Sequence, residues 1–263
     1  MNPFDEPGNA FSALIDVVAR LRGEGGCAWD RAQTPQTLRP YVLEEIYEVL
    51  DAIDRDDAAE LRKELGDVLF QIVLLAQMQQ EAGRFDMGDV LRGVTDKMVV
   101  RHPHVFDPDY DETVPANGID AWEKRKARER SDRSSALDGV PAALPSLLRA
   151  HRIAEKAGAV GFDWPDAAGV RRKLDEELAE LDEALASGDE EAIGDELGDV
   201  LFTVVNLARH LPVGAETALR GATSKFERRF RALELALVRR GIAPHDATAE
   251  QLDAVWQEVK ATC

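Results

Sequence analysis

Glu64–Phe70 reads ELGDVLF, and Glu196–Phe202 reads ELGDVLF again, 132 residues later. The same offset carries Glu44 and Glu45 onto Glu176 and Glu177, and Glu48 onto Glu180. Seven identical residues and three acidic matches in one register mark a duplicated module. Around both copies the apolar residues recur with a helical period. Leu43, Ile46, Tyr47, Leu50 and Ile53 fall on one stripe, and Leu174, Leu178, Leu181 and Leu185 on another. Segments 61–79 and 193–210 are apolar around most of their circumference, which predicts buried central helices. Gly and Pro cluster between these segments, and no alternating strand or two-residue hairpin signal stands out. The expected fold is all-α, with two tandem helical-bundle modules.

The boundaries follow from composition. The 263 residues suffice for two modules of ordinary size. Residues 107–117 are rich in Asp and Pro, and 121–133 form a dense charge run, AWEKRKARERSDR. The division expected is a first module over 1–120, a charged linker over 121–134 and a second module over 135–263. The charge run reads as a solvated helix or linker, with a basic docking site as the alternative. A hydrophobic content of 44% supports a real core. Asp and Glu number 50 against 32 Lys and Arg, a formal charge of -18, and such a surface repels nucleic-acid backbone. No nucleic-acid partner is expected.

Two cysteines, Cys27 and Cys263, make neither a disulfide framework nor a zinc spacing. The first residues are acidic where a signal peptide would be basic. The strongest apolar run, Val68–Ala76, is far shorter than the roughly 20 residues of a membrane span. The reading is a cytoplasmic chain with no membrane partner.

Each module holds E-E-x-x-E followed by E-x-x-D: Glu44, Glu45, Glu48, Glu64 and Asp67, then Glu176, Glu177, Glu180, Glu196 and Asp199. Residues three and four apart share a helix face, so each segment can aim two carboxylates one way. Two such helices joined by a short turn pack antiparallel and can direct both pairs into one space. E-E-x-x-E alone can equally be a wet helix face. The E-x-x-D pairs are different, because Glu64 and Asp67 lie among Leu61, Leu65, Val68, Leu69, Phe70 and Ile72. Ionised carboxylates are costly to desolvate, and several together need a cation. Hard oxygen ligands in this number suit Mg²⁺, with Mn²⁺ as substitute, rather than zinc or copper. Gly66 and Gly198 recur inside the same helices, which suggests a close helix or ligand approach there. Downstream of each acidic set stands K-x-x-x-R, as Lys97 with Arg101 and as Lys225 with Arg229, two cations on one helix face suited to phosphate.

E-E-x-x-E followed by E-x-x-D on paired helices resembles the all-α nucleoside triphosphate pyrophosphatases, and the tandem arrangement resembles the MazG family. CAWDRAQT, YVLEEIYEVLDAI, RHPHVF, VGFDW, ELGDVLFTVVNLARH and KFERRF carry the likeness over nearly the whole chain. The resemblance implies hydrolysis of nucleoside triphosphates to monophosphate and pyrophosphate, with Mg²⁺, broad base tolerance and a homodimer whose sites take helices from both subunits. It implies Glu177, Glu180, Glu196 and Asp199 as metal ligands and Lys225 and Arg229 as phosphate-binding groups. Trp256 is either a nucleotide contact or a core anchor of the last helix. Glu176 or Glu177 can accept the proton of the attacking water.

The modules are not equivalent. In register, Asn206 replaces Leu74 and Arg209 replaces Gln77. Both polar residues lie on the helix of Glu196 and Asp199, where Arg209 could meet a phosphate and Asn206 a ribose hydroxyl. The expectation is that the second module is the main catalytic one. The first, with Glu44, Glu45, Glu48, Glu64, Asp67, Lys97 and Arg101, is a possible second site or a nucleotide-sensing or dimerisation scaffold. A narrower pyrophosphatase is the enzymatic alternative. Neither H-x-x-x-H nor C-x-x-C occurs, and a P-loop is absent, so zinc hydrolase and P-loop ATPase chemistry are disfavoured.

Overall fold

The computed structural model describes residues 7–108, 110 and 135–262. The charged linker expected over 121–134, most of the Asp- and Pro-rich stretch before it, and Cys263 lie outside the described residues. The chain divides into two compact units, Met1–Ala116 and Asn117–Cys263. All regular elements among the described residues are helical, and no described helix is long and apolar enough to cross a membrane.

The first unit runs α1 (Pro7–Arg22), α2 (Ala28–Ala32), α3 (Pro35–Asp54), α4 (Ala58–Glu81), α5 (Met87–Arg101) and α6 (Pro103–Phe106). Helices α3 and α4 form an antiparallel hairpin, with α1 and α5 laid against α4. The core joins Val18 of α1, Leu38 of α3, Val73, Leu74, Ala76 and Met78 of α4, and Met87 of α5. The second unit runs α7 (Ser146–Ala159), α8 (Ala167–Ser187), α9 (Glu190–Arg209), α10 (Ala215–Arg239), a 3₁₀ turn (Pro244–Asp246) and α11 (Ala249–Thr262). Here α8 and α9 make the hairpin, α7 packs on α9 and α10, and α11 packs on α10. Leu233 and Leu237 of α10 meet Val255 and Val259 of α11 in an apolar cluster.

Local chemistry sets both hairpins in the same register. Thr34 caps α3, accepting from the Thr37 amide at 3.2 Å, and Asp166 caps α8, accepting from the Gly169 amide at 2.7 Å. Asp57 caps α4 through the amides of Ala59 and Glu60, and Asp189 caps α9 through those of Glu191 and Ala192. Each pair of caps is separated by the repeat offset of 132 residues. Caps of this kind satisfy amides that the first helical turn leaves unpaired, and each contributes about 1 kcal/mol. The turn between the paired helices also repeats. Gly188 sits at φ 72, and Asp56, its counterpart, at φ 54. Both are left-handed, a conformation that Gly adopts freely and Asp tolerates. Leu38 and Val170, again in register, are each fully buried at the start of their hairpins.

A second device ties down the segment that leads into each hairpin. In the first unit Arg22 reaches Glu81 at 2.7 Å and also donates to the carbonyls of Asp30 and Gln33. In the second, Arg209 at the end of α9 pairs with Asp163 at 2.7 Å. The long helix of the hairpin thus supplies the carboxylate in one unit and the guanidinium in the other.

Three sequence expectations need correction. The stripe of Leu43, Ile46, Tyr47 and Ile53 does not face the core of its own unit, since all four are exposed. On α3 it is Leu38 and Ala52 that are buried. Segment 193–210 is not a buried central helix either: Thr203, Val205 and Asn206 are buried, but Leu197, Leu201, Phe202 and Val204 are exposed. Periodicity identifies an apolar stripe, and only packing says whether the same chain covers it. Gly66 and Gly198 have open space where a side chain would point, so among the described residues no other helix approaches them closely, which leaves the ligand approach as the remaining part of that expectation.

The shared left-handed turn is testable. A Cβ at Gly188 would meet nothing within 4 Å, so its conformation alone opposes substitution. Gly188→Ala is expected to lower the unfolding free energy by about 1 kcal/mol in denaturant titration. An unchanged midpoint would show that the turn relaxes without cost.

Candidate active site

The hairpins bring two carboxylate trios together. Glu45, Glu48 and Glu64 each place an oxygen within 4.8 Å of the others, and Glu177, Glu180 and Glu196 do the same. Four of these six come from the E-E-x-x-E helices, where the three-residue spacing puts two carboxylates on one face. Glu64 and Glu196 are supplied by the partner helices across each hairpin.

The electrostatics show how crowded the trios are. In the first, burial and then repulsion from Asp67, Glu64 and Glu44 push the Glu45 carboxyl above its ordinary range. A hydrogen bond with Glu64 leads the same upward push on Glu48. Asp67 is half-buried and Glu44 exposed, and both are close enough to act on Glu45. In the second trio, a hydrogen bond with Glu177 is the main reason that Glu180 is raised, and repulsion from Glu177 and Glu196 adds to it. Carboxylates this close must share protons or a cation.

Each trio has an ammonium group at its edge. Lys63 donates to Glu64 at 2.8 Å and to Glu60 at 3.1 Å. Lys173 donates to Glu176 at 2.6 Å and lies 2.9 Å from Glu177 and 3.9 Å from Glu180. These contacts push both lysines above their ordinary range. Hydrogen bonds from Lys63 are the first cause of the lowered pKa of Glu64. Neither lysine is among the residues singled out by sequence. K-x-x-E-E spacing makes Lys173 findable, since the i, i+3 and i, i+4 contacts share a face. Adjacent residues do not normally face each other on a helix, so no spacing rule signals Lys63.

The carboxylate sets fit a divalent ion. Glu64 is only 2% exposed, and its Oε2 is buried with no hydrogen-bond partner. A buried, unpartnered oxygen on a carboxylate that clusters with two others is a place for a cation, which would repay its desolvation. Asp199 is exposed on α9, one turn beyond Glu196, and stands outside the trio. Glu176 is also outside it and is held by Lys173.

Lys225 and Arg229 lie one turn apart on α10, which packs against α7, α9 and α11. Lys225 is exposed and Arg229 half-buried. In the first unit Lys97 is exposed on α5, but Arg101 is only 7% exposed. Trp256 is half-buried at the edge of the α10–α11 cluster, with its ring centroid 5.4 Å from that of Phe226, the neighbour of Lys225.

Asn206 and Arg209 lie on α9, as expected, roughly two to four turns beyond Glu196. Asn206 is 2% exposed, and its Oδ1 accepts from Arg209 at 2.9 Å. The Arg209 guanidinium is otherwise taken up by Asp163. Thirteen residues of helix separate it from Glu196, about 20 Å of rise. These two residues anchor the loop before α8 and do not join the carboxylate trio. Their polarity is explained by that buried anchor.

Comparison with known proteins agrees with the repeat. The model of the MazG nucleotide pyrophosphohydrolase domain matches twice, over residues 33–106 and 167–233. The chain is similar to the nucleoside triphosphate pyrophosphohydrolase of Escherichia coli (strain K12), 46% identical over 257 residues, covering 96% of this chain and 97% of that protein. It is 41% identical over 256 residues to the nucleoside triphosphate pyrophosphohydrolase/pyrophosphatase MazG of Thermotoga maritima, covering 97% of each. It is 40% identical over 254 residues to the uncharacterized protein YabN of Bacillus subtilis, covering 96% of this chain and 52% of that protein.

The crowding has a measurable sign. The raised pKa of Glu180 means that ionisation is disfavoured in the folded state. Its contribution to stability is therefore present below the ordinary carboxylate range and is lost as pH rises through the raised value. Without metal, Glu180→Gln is expected to melt at pH 7 at the same temperature as the parent or higher. It should also lose less stability between acid and neutral pH. A clear drop in melting temperature at pH 7 would mean that Glu180 is favourably paired instead.

Proposed function

The chain belongs to the MazG nucleotide pyrophosphohydrolase family, and from that premise we propose that it hydrolyses nucleoside triphosphates to monophosphate and pyrophosphate with Mg²⁺, Mn²⁺ serving as substitute. The observation that carries this reading is the convergence of Glu177, Glu180 and Glu196 from two capped helices into one space. Lys225 and Arg229 stand on another helix of the same unit. Broad base tolerance goes with the resemblance.

Glu177, Glu180 and Glu196 would hold the ion, with Asp199 one turn along α9 as a further ligand. An ion held there would supply positive charge against the phosphate oxygens and would acidify the attacking water. Glu176 lies beside the trio and is not part of it, which suits it to take the proton of the attacking water. Lys173 holds Glu176 and Glu177 in place. Lys225 and Arg229 meet the charge of the leaving pyrophosphate, the arginine through its planar fork of donors. Trp256, half covered by Phe226 and the α10–α11 cluster, keeps ring surface for stacking on a base while anchoring α11. Attack at the α phosphorus goes with the family resemblance, and the P-loop that serves cleavage at the γ phosphorus is absent from the sequence.

The second unit is proposed as the main catalytic one. The ground is the arginine of K-x-x-x-R: Arg229 is half-buried, whereas Arg101 is 7% exposed and poorly placed to meet a phosphate. The first unit is then a weak site or a scaffold. One assay addresses both points. In ¹⁸O-labelled water the label is expected in the monophosphate and absent from pyrophosphate. Glu196→Gln with Asp199→Asn is expected to lower turnover by orders of magnitude, and Glu64→Gln with Asp67→Asn by much less. Label in pyrophosphate, or release of orthophosphate, would refute the reaction. A reversed order of the two variants would refute the choice of unit.

The protein is also proposed to be a homodimer. Leu197, Leu201 and Val204 form an exposed stripe on α9, beside exposed Leu178 and Leu185 of α8. Exposed apolar stripes on both helices of a hairpin are suited to pairing with their own copy. Leu201→Glu is expected to halve the mass measured by light scattering. An unchanged mass would remove this face from the interface.

A further inference from the structure

The two trios are neutralised from opposite sides. In the first, the most buried carboxylate is Glu64, on the E-x-x-D helix, at 2% exposure. In the second it is Glu177, on the E-E-x-x-E helix, at 5% exposure. These two positions are not counterparts in the repeat: Glu64 corresponds to Glu196, and Glu177 to Glu45. The lysine follows the buried group in each case. Lys63 is bonded to Glu64, and Lys173 to Glu177. In register, the place of Lys63 is taken in the second unit by Asp195, and the place of Lys173 in the first unit by Tyr41.

The consequence for a cation differs between the units. Lys173 shares its helix with Glu176, Glu177 and Glu180, which leaves Glu196 across the hairpin without an ion pair among the described residues. Lys63 instead sits on the single carboxylate that α4 contributes to its trio. The unpaired Oε2 of Glu64 remains, but any ion drawn to it meets an ammonium group already held on Oε1 of the same carboxylate. That ammonium is tethered, so it competes at any dilution of the protein, and it repels a divalent ion directly.

We propose that Lys63 is a built-in counter-ion of the first carboxylate cluster, which competes with divalent metal for Glu64 and lowers the metal affinity of the first unit. This inference rests on the reading of both trios as metal sites. It places an ammonium on the one ligand that the E-x-x-D helix gives the first cluster, whereas Lys173 pairs with ligands of the E-E-x-x-E helix and leaves Glu196 without an ion pair among the described residues. Because Lys63 is 64% exposed, it can leave Glu64 without disturbing the core.

The test uses the full chain without nucleotide, with Mn²⁺ as the probe and free Mn²⁺ followed by electron paramagnetic resonance. In a background of Glu177→Gln with Glu196→Gln, only the first cluster binds. There Lys63→Gln is expected to tighten Mn²⁺ binding on the order of tenfold, the worth of one modest charge interaction. Lys63→Arg, which keeps the charge, should bind as the background does. The reciprocal change, Asp195→Lys in a background of Glu45→Gln with Glu64→Gln, should weaken the second cluster. Equal affinity with and without the Lys63 charge overturns the proposal while leaving the metal sites standing. Failure of the first cluster to take up Mn²⁺ even as Lys63→Gln overturns its reading as a metal site, and the proposal with it. The intact second cluster, measured in parallel, separates that outcome from loss of metal binding in general.

Discussion

Three carboxylates held within 4.8 Å of one another are the constraint on which both hairpins turn. Left to themselves they would drive the paired helices apart. The fold holds them together by other means: caps at the start of each helix, a tight turn between them, and apolar packing behind. The electrostatic cost then appears at the trio, as the raised pKa values of Glu45, Glu48 and Glu180 and as the lysines drawn to the most buried member of each set. A hairpin in this condition is poised to accept a cation, because the ion relieves a repulsion that the native packing already sustains.

Duplication preserved the scaffold more closely than the site. The four helix caps, the left-handed turn and the first buried apolar residue of each hairpin recur at one offset. They are backbone requirements, and a module that lost one would lose register between its two carboxylate-bearing helices. Around that scaffold the charges moved. The arginine that secures the entry segment lies on α1 in one unit and at the end of α9 in the other. The lysine at the trio changed helices, and the buried carboxylate changed with it. A salt link can be rebuilt from either side because only proximity and sign matter, whereas a left-handed turn has few alternatives.

The exposed leucines belong to the same account. A hairpin that points carboxylates along one side and packs its core on another leaves a third face, and here that face is apolar: Leu43, Ile46 and Ile53 in the first unit, Leu178, Leu197 and Leu201 in the second. Such stripes look like core in a sequence, and they misled the reading of segment 193–210 for that reason. Asn206 and Arg209 show the complementary case, in which a polar pair has a structural partner that spacing does not signal. These two polar residues on an apolar helix are joined to each other and to the loop that returns Asp163 to the end of α9. The loop lies 46 residues from Arg209 in the chain, beyond the reach of any periodicity.

The sequence by itself determined the all-helical class, the duplication and the carboxylate sets, because these depend on short-range spacing: a period of 3.6 for helices, three and four residues for a shared face, one offset for the repeat. Caps such as Asp57 and Asp189 are also local and legible. Tertiary structure decided what depends on which surfaces meet. It selected Glu64 in one unit and Glu177 in the other as the buried carboxylate, and it brought Lys63 onto its sequence neighbour against the usual divergence of adjacent side chains. It assigned Arg209 to a loop and turned leucine stripes outward. Burial and pairing are properties of the space between helices, and that space exists only once the chain has folded.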